Sequence, residues 1–336
     1  MTRSEPLLFG GVPISMGETV ELRLKIGESF TAEPVWIPVT VVRGGPGPTV
    51  FVTATVHGDE LNGVGILRDL LNDTDFSTFK GTLIAIPVVN VPGFLGMNRY
   101  LPDRRDLNRS FPGSRKGSLT ARLADLLFRE VIRQSDFGID LHTAGGERTN
   151  YPQVRADLSD PRVTELAQAF GSGLIIDGAG PDRSLRKTAV AAGVPTIVYE
   201  AGSALRLERP FIRAGITGVL NVLRWLHMLG GEPEPAPVQI AVDRTHWVRA
   251  RAGGILDLQV ELGQPVRRGQ TLSINTNPFG RDRSRLKAPH GGVVLGLTQL
   301  PLVHPGDAVC HLARLGTRDL EAWAAHWGED GRIAGV

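Results

Sequence analysis

Short apolar runs rich in β-branched residues recur along the chain, and after the first of them they alternate with stretches of helical spacing. Thr19–Ile26 alternates polar and apolar positions and Val35–Val42 is a second β-rich run, so both are expected as strands. Pro38 cannot donate to a ladder, which points to a sheet edge for the second run. A Gly-Gly-Pro-Gly-Pro turn at 44–48 leads into Val50–Val56, giving antiparallel strands that feed a core strand. The rhythm then changes. Leu61–Leu71 has helical spacing, and Thr82–Val89 reads as a strand. Ser118 caps a helix running to about Gln134 through Leu123, Leu126, Leu127 and Val131. Phe137–His142 is a strand, and Asp160-Pro161 opens a helix with a capping residue and a first-turn proline. Leu174–Ile176, Leu185–Ala192 and Thr196–Glu200 follow as strand, helix and strand. A long helix from about Phe211 to Met228 ends at Gly230-Gly231.

Strands alternating with helices predict an α/β fold with a mixed, largely parallel sheet flanked by helices, whose ligands bind beyond the carboxyl ends of the strands. Residues 1–231 are expected as this domain, with 1–45 as its N-terminal strands. The proline-spaced segment 232–237 reads as a stiff linker. Beyond it, 238–318 turns to β-rich runs and glycine turns, and 319–336 is a C-terminal tail. The β region contains a repeat. Ala252-Gly-Gly-Ile-Leu256 with Leu262–Gly269 is echoed by His290-Gly-Gly-Val-Val294 with Val303–Val309. Two such units predict a smaller all-β barrel or sandwich. It resembles the barrel-sandwich hybrid of biotinyl and lipoyl carriers, but has no match for their modified lysine, so a cap or assembly role is expected.

One stretch organises the chemistry: Thr53–Gly63, reading T-A-T-V-H-G-D-E-L-N-G. An apolar strand ends on His57 and Glu60, three apart, just before a helix. An imidazole and a carboxylate so placed can turn to one side and hold a metal ion with one distant ligand. His142 ends Gly138-Ile-Asp-Leu-His and is the candidate third ligand. Asp140, two residues back on the same strand face, can hold the ligand ring. The polar, arginine-dense stretch from Asn98-Arg99-Tyr100 to Asp106-Leu-Asn-Arg-Ser-Phe-Pro-Gly113 has the look of a functional loop. Arg109 offers a planar fork for a carboxylate with Asn108 beside it, and Arg99 can stabilise a developing oxyanion. Arg104 and Arg105 read as loop charge. Glu200, an acid closing the apolar run Ile197-Val-Tyr, is the candidate general base, ahead of Glu147 and Glu208 in polar loops. His227, His246, His304, His311 and His326 read as structural or exposed, and His290 is the one placed to reach a cleft.

Composition narrows the class. The 336 residues are 41% hydrophobic and 21% charged, as in globular proteins. Net charge is +2 without a basic stripe, which argues against nucleic acid. Cys310 is the only cysteine, so no intrachain disulfide forms and any metal must use His and carboxylates. Met1–Gly11 does not read as a signal peptide, and no apolar run approaches the roughly 18 residues needed to span a bilayer. A cytoplasmic protein without membrane contact is expected.

Taken in order, H-G-D-E at 57–60, N-R-Y at 98–100, D-L-N-R-x-F-P-G at 106–113, D-L-H-T at 140–143 and Y-E-A-G at 199–202 resemble the succinylglutamate desuccinylase/aspartoacylase family of carboxypeptidase A-like zinc hydrolases. The match covers about 45–230, and the trailing β region is also similar to the family's C-terminal part. The resemblance implies a zinc carboxypeptidase-like fold and one zinc ion per chain on His57, Glu60 and His142. It also implies Glu200 as general base, Asn108 and Arg109 on the substrate carboxylate, and Arg99 on the scissile carbonyl. Asn90-Val-Pro-Gly93 departs from the Asn-Pro of many relatives. The expected activity is hydrolysis of the amide of a small N-acyl amino acid. The alternatives are a metallocarboxypeptidase acting on short peptides and a non-catalytic binding protein on a degenerate hydrolase fold. The β-rich appendage also makes a homo-oligomer an option.

Overall fold

The computed structural model of the chain describes residues 6–28 and 31–327, apart from the side chains of 282 and 283. Four parallel strands form its centre, in the spatial order Lys80–Ile86, Gly45–Ala54, Phe137–Ala144 and Thr196–Ser203. They are the continuous apolar runs seen in the sequence, and such runs are what a sheet covered on both faces requires. Val50, Val52 and Ala54 face a core formed with helices Asn62–Asp73, Pro161–Phe170 and Arg209–Trp225. Phe51 and Val56 face the opposite core, closed by helices Leu119–Glu130 and Leu185–Ala191. The α/β class and the helix-flanked, mixed sheet are as expected. The helix from Ser118 is shorter than expected: it ends at Glu130 with Val131 as its cap, and only a 3-10 turn, Ile132–Gln134, follows.

Pro34–Arg43 runs antiparallel beside Lys80–Ile86, and Glu18–Glu28 lies outside it. The strand containing Pro38 is therefore not outermost, contrary to expectation. Its contact with Lys80–Ile86 begins only at Thr40 opposite Ala85, whereas Pro38 pairs with Arg23 on the other side. At Pro38 itself the ladder is one-sided, as at a sheet edge, where proline is tolerated.

At the other side the sheet continues through a strand the pattern did not reveal, Arg148–Ala156, antiparallel to Thr196–Ser203. Gly292–Thr298, Ala308–Arg314 and Thr245–Arg249 extend it further, so the C-terminal β region is continuous with the central sheet. A second sheet of Asp282–Lys287, Thr271–Thr276, Gly254–Leu258 and Leu302–Val303 faces it across an apolar core. The sequence repeat appears as reciprocal pairing. Leu302–Val303 of the second unit pairs with Gly254 and Ile255 of the first, and Pro265–Val266 of the first pairs with Gly292 and Val293 of the second.

The linker does not hang free. The amide of buried Asn221 on the long helix donates to Glu234 O (2.9 Å) and accepts from Glu234 N (2.7 Å). Part of the expected tail is the helix Thr317–His326, whose fully buried Trp323 donates its indole N–H to Gly263 O and meets Tyr151 edge-on. Residues 328–336 of that tail lie outside the described residues. Among the described residues no helix is long and apolar enough to cross a membrane. Trp323→Ala removes this anchor and should destabilise the protein by about 3–5 kcal/mol, read as a lower urea midpoint.

Candidate metal centre

The strand Gly45–Ala54 ends in an abrupt turn. Thr55 has φ +58°, a conformation that β-branched residues avoid, and its hydroxyl donates to Pro87 O at 3.0 Å. This turns Val56 and His57 inward. Gly58 follows because the loop after Asn90 packs directly on it, and a Cβ there would lie 2.1 Å from the carbonyl carbon of Gly93. The spacing of His57 and Glu60 thus comes from a turn that admits only glycine between them and the neighbouring loop.

Glu60 is 2% exposed and sits between two imidazoles. His57 Nδ1 lies 2.7 Å from Oε1, and His142 Nδ1 lies 2.7 Å from Oε2. The far nitrogens are held by two other carboxylates. His57 Nε2 is 3.2 Å from Asp106, and His142 Nε2 is 2.8 Å from Asp140, which in turn accepts from Thr53 Oγ1 at 2.8 Å. The Asp140 contact expected from strand alternation is present. Asp106, which received no role from sequence, matches it on the other ring; its place in D-L-N-R was the available signal.

Burial alone would lower the pKa of both rings, but Glu60 and Asp106 around His57, and Asp140 and Glu60 around His142, outweigh it and raise both. Burial alone would raise Glu60, yet the two imidazoles hold it well below the usual carboxylate range. With their Nε2 atoms held by aspartates, both rings turn Nδ1 toward the Glu60 carboxylate, a donor set that could hold a cation. The three donor atoms all lie within 4.8 Å of one another, and two imidazoles with one carboxylate suit a first-row divalent metal. The residues fit such an ion.

Arg99 bridges the ligand shell, with Nη1 3.2 Å from Glu60 and Nη2 3.1 Å from Asp106. Its loop is pinned by Asn90, which accepts from Gly93 N and donates to Arg99 O, so the Asn-Val-Pro sequence keeps its cap. Asn108 accepts from Leu185 N at 2.9 Å, and Arg109 is exposed. Glu200 is the register partner of His142 on the adjacent parallel strand and shares its face of the sheet. Its carboxylate accepts from Asn150 Nδ2 at 2.7 Å and lies 3.0 Å from Arg155 Nε. Glu208 instead takes Ser203 N and Asn62 at the start of the long helix, and Glu147 is exposed. His57, Glu60, His142, Arg99, Asn108, Arg109 and Glu200 all line one cavity of about 590 Å³. His290 does not; an adjoining chamber is walled by Trp247 and His311, and His311 is pushed down to about 3 by burial, Arg155 and Arg148.

The cavity also holds Arg186, which the sequence reading passed over. It is 6% exposed, its Nη1 has no partner, and its pKa is pushed down to about 10 by burial and by Arg155. Gly180 makes room for the guanidinium, since a Cβ there would come within 2.7 Å of Nη2.

The profile of the succinylglutamate desuccinylase/aspartoacylase catalytic domain matches residues 46–226. The chain belongs to this family. It is 31% identical over 309 residues, 88% of this chain and 90% of the other, to the N-alpha-acetyl-L-2,4-diaminobutyric acid deacetylase of Halomonas elongata. The product-bound ectoine utilization protein EutE (DoeB) of Ruegeria pomeroyi superposes with a TM-score of 0.80 at 25% identity, covering 94% of this chain and 100% of that one. A succinylglutamate desuccinylase/aspartoacylase of Rhodobacter sphaeroides gives 0.76 at 28% identity, covering 88% and 95%. The family places this chain among hydrolases acting on N-acyl amino acids and agrees with the fold described above.

The charge pattern sets a pH dependence for the metal-free protein. Glu60 and Asp106 have lowered pKa values, so their stabilisation is present above their ordinary 4.5 and 3.8. The two histidines have raised values, so theirs is complete below 6.5 and is lost as pH rises through the raised values. Chelator-treated protein should therefore melt progressively lower as pH rises above about 6.5. Added zinc should raise the melting temperature more at pH 8 than at pH 6, because it replaces those protons.

Proposed function

We propose that the protein is a zinc-dependent deacylase that hydrolyses the amide bond of small N-acyl amino acids. The observation that carries this reading is the register of Glu200 beside His142, which sets a carboxylate and the metal-ligand cluster on one cavity wall. His57, Glu60 and His142 would hold one zinc ion per chain, which when bound acidifies a water and withdraws charge from a carbonyl. Glu200 takes a proton from the attacking water and returns it to the departing amine nitrogen. Asn108 and Arg109 orient the substrate's carboxylate, while Arg99 lies close enough to the ligands to stabilise charge on the carbonyl oxygen. Asp140 and Asp106 keep the ligand rings in one tautomer and orientation.

An N-acyl amino acid is an anion, and the cavity is lined by Arg99, Arg109, Arg148, Arg155 and Arg186. Such a wall draws in anions and disfavours bare cations. The C-terminal strands contribute Thr245, Trp247 and His311 to the wall of the adjoining chamber beside Glu200. We place the enzyme in the cytoplasm, consistent with its buried, unpaired Cys310.

Glu200→Gln should lower kcat by about 10³-fold or more while zinc content stays at one per chain, measured by elemental analysis beside turnover. Near-normal turnover would remove Glu200 from the role of base. A panel of N-acetyl and N-succinyl amino acids should be hydrolysed in preference to short peptides; the reverse preference would make the protein a carboxypeptidase. Arg186→Gln should raise KM for these anionic substrates by about tenfold with little change in kcat, since a charge-assisted bond contributes roughly 1.5–3 kcal/mol.

A further inference from the structure

We infer that Asn150 is a positioning residue for Glu200, and that the C-terminal β region takes part in catalysis by fixing it. The inference rests on Glu200 being the base. Along the antiparallel pair of Arg148–Ala156 and Thr196–Ser203, Val198, Tyr199 and Glu200 face Arg155, Val154 and Gln153 in simple register, but Gly202 faces Asn150. One extra residue is thus accommodated at Tyr151-Pro152, a bulge, and proline within a sheet is found at such places. Strand alternation alone would turn position 150 away from the Gln153 side. The bulge brings Asn150 onto the face of Glu200, where its amide donates to Oε2 at 2.7 Å.

Asn150 is only 6% exposed, and its neighbours across the sheet on both sides are glycines. Gly202 opens one side, with φ +76° and no side chain. Gly296, from the C-terminal region, backs the other, and a Cβ on it would lie 2.8 Å from Asn150 Oδ1. A second bond from the same region closes the end of the Glu200 strand, since Gln299 Nε2 donates to Ser203 Oγ at 2.9 Å. Asn150 therefore hydrogen-bonds one oxygen of Glu200, while the charge of Arg155 lies beside the other without hydrogen-bond geometry at its Nε. A carboxylate hydrogen-bonded at one oxygen and ion-paired at the other is held in place, and a proton shuttle needs that because a misplacement of about 1 Å costs about 100-fold in rate. Asn150 does not line the cavity that holds His57, Glu60 and His142, and its side chain bonds Glu200, so its effect passes through Glu200.

A double-mutant cycle tests this. Asn150→Ala should lower kcat by about tenfold to 100-fold with KM and zinc content nearly unchanged. Asn150→Asp keeps the shape but cannot donate and adds repulsion, so it should lower kcat at least as far. On a Glu200→Gln background Asn150→Ala should have no further effect, because the residue it positions is already disabled. Gly296→Ala, which presses on Asn150 from the opposite side, should give a smaller loss that also vanishes on that background. It provides the same test should the Asn150 variants fold poorly. An unchanged kcat in both Asn150→Ala and Gly296→Ala, or losses that multiply undiminished on the Glu200→Gln background, would overturn the inference while leaving the base in place. Full activity in Glu200→Gln itself would instead overturn the base assignment, and the inference with it.

Discussion

A single buried carboxylate holds this structure's chemistry together. Glu60 accepts from His57, His142, Arg99 and the backbone N–H of Thr143, groups that come from three separate segments of the chain. Burying a carboxylate is costly unless its oxygens are filled by donors. Here each oxygen has two. The consequence is that the turn at His57–Glu60, the loop at Arg99 and the strand end at His142 cannot move independently. Outside that ring of donors, Asp106 and Asp140 hold the far side of each imidazole, so the atoms that could take a metal are fixed in orientation.

The sheet supplies the alignment that makes this possible. Thr53 pairs with Asp140 and donates to it, while His142 two residues on is the register partner of Glu200 on the other side. Parallel pairing places the ligand-bearing ends of Gly45–Ala54 and Phe137–Ala144 at the same end of the sheet, where side chains converge beyond the strands. On the far side, Arg148–Ala156 would be an exposed edge if the sheet stopped there. Leu174–Asp177 covers that edge at 154–156 and the C-terminal strands continue it from 148–150, which delivers Gly296 and Gln299 to the neighbourhood of Glu200.

Much of this was readable from sequence. Buried parallel strands are apolar on both faces, so Val50–Val56 and Phe137–His142 announce themselves, and polar residues closing such runs stand out as His57, His142 and Glu200 do. The strand Arg148–Ala156 was not legible because Arg-Thr-Asn-Tyr-Pro-Gln mixes charge, a proline and a broken alternation, all consequences of its bulge. Asn150 was hidden for the same reason. Arg186 lies in a short helix where an arginine reads as solvated, and only the three-dimensional cradle at Gly180 shows that it is buried. The continuity of the sheet into the C-terminal region was invisible for a different cause. It depends on pairing between residues nearly 150 positions apart in sequence, such as Asn150 with Gly296, and no local signal encodes it.

Several of the places where local rules are broken lie at the site. Thr55 holds a left-handed backbone conformation that a β-branched residue resists, Arg186 is buried without a partner, and Asp59 keeps one buried oxygen unbonded beside Glu60. By contrast, the apolar cores on the two faces of the central sheet are formed by helices with ordinary caps, as at Ser118, Asp160 and Ser184. Strain and unsatisfied polarity persist only where surrounding structure overrides them, and functional sites are where that is common. The turn at Thr55 aims His57, and the unpaired guanidinium of Arg186 faces the cavity, so these two local costs coincide with tasks that unstrained, fully paired residues would not perform.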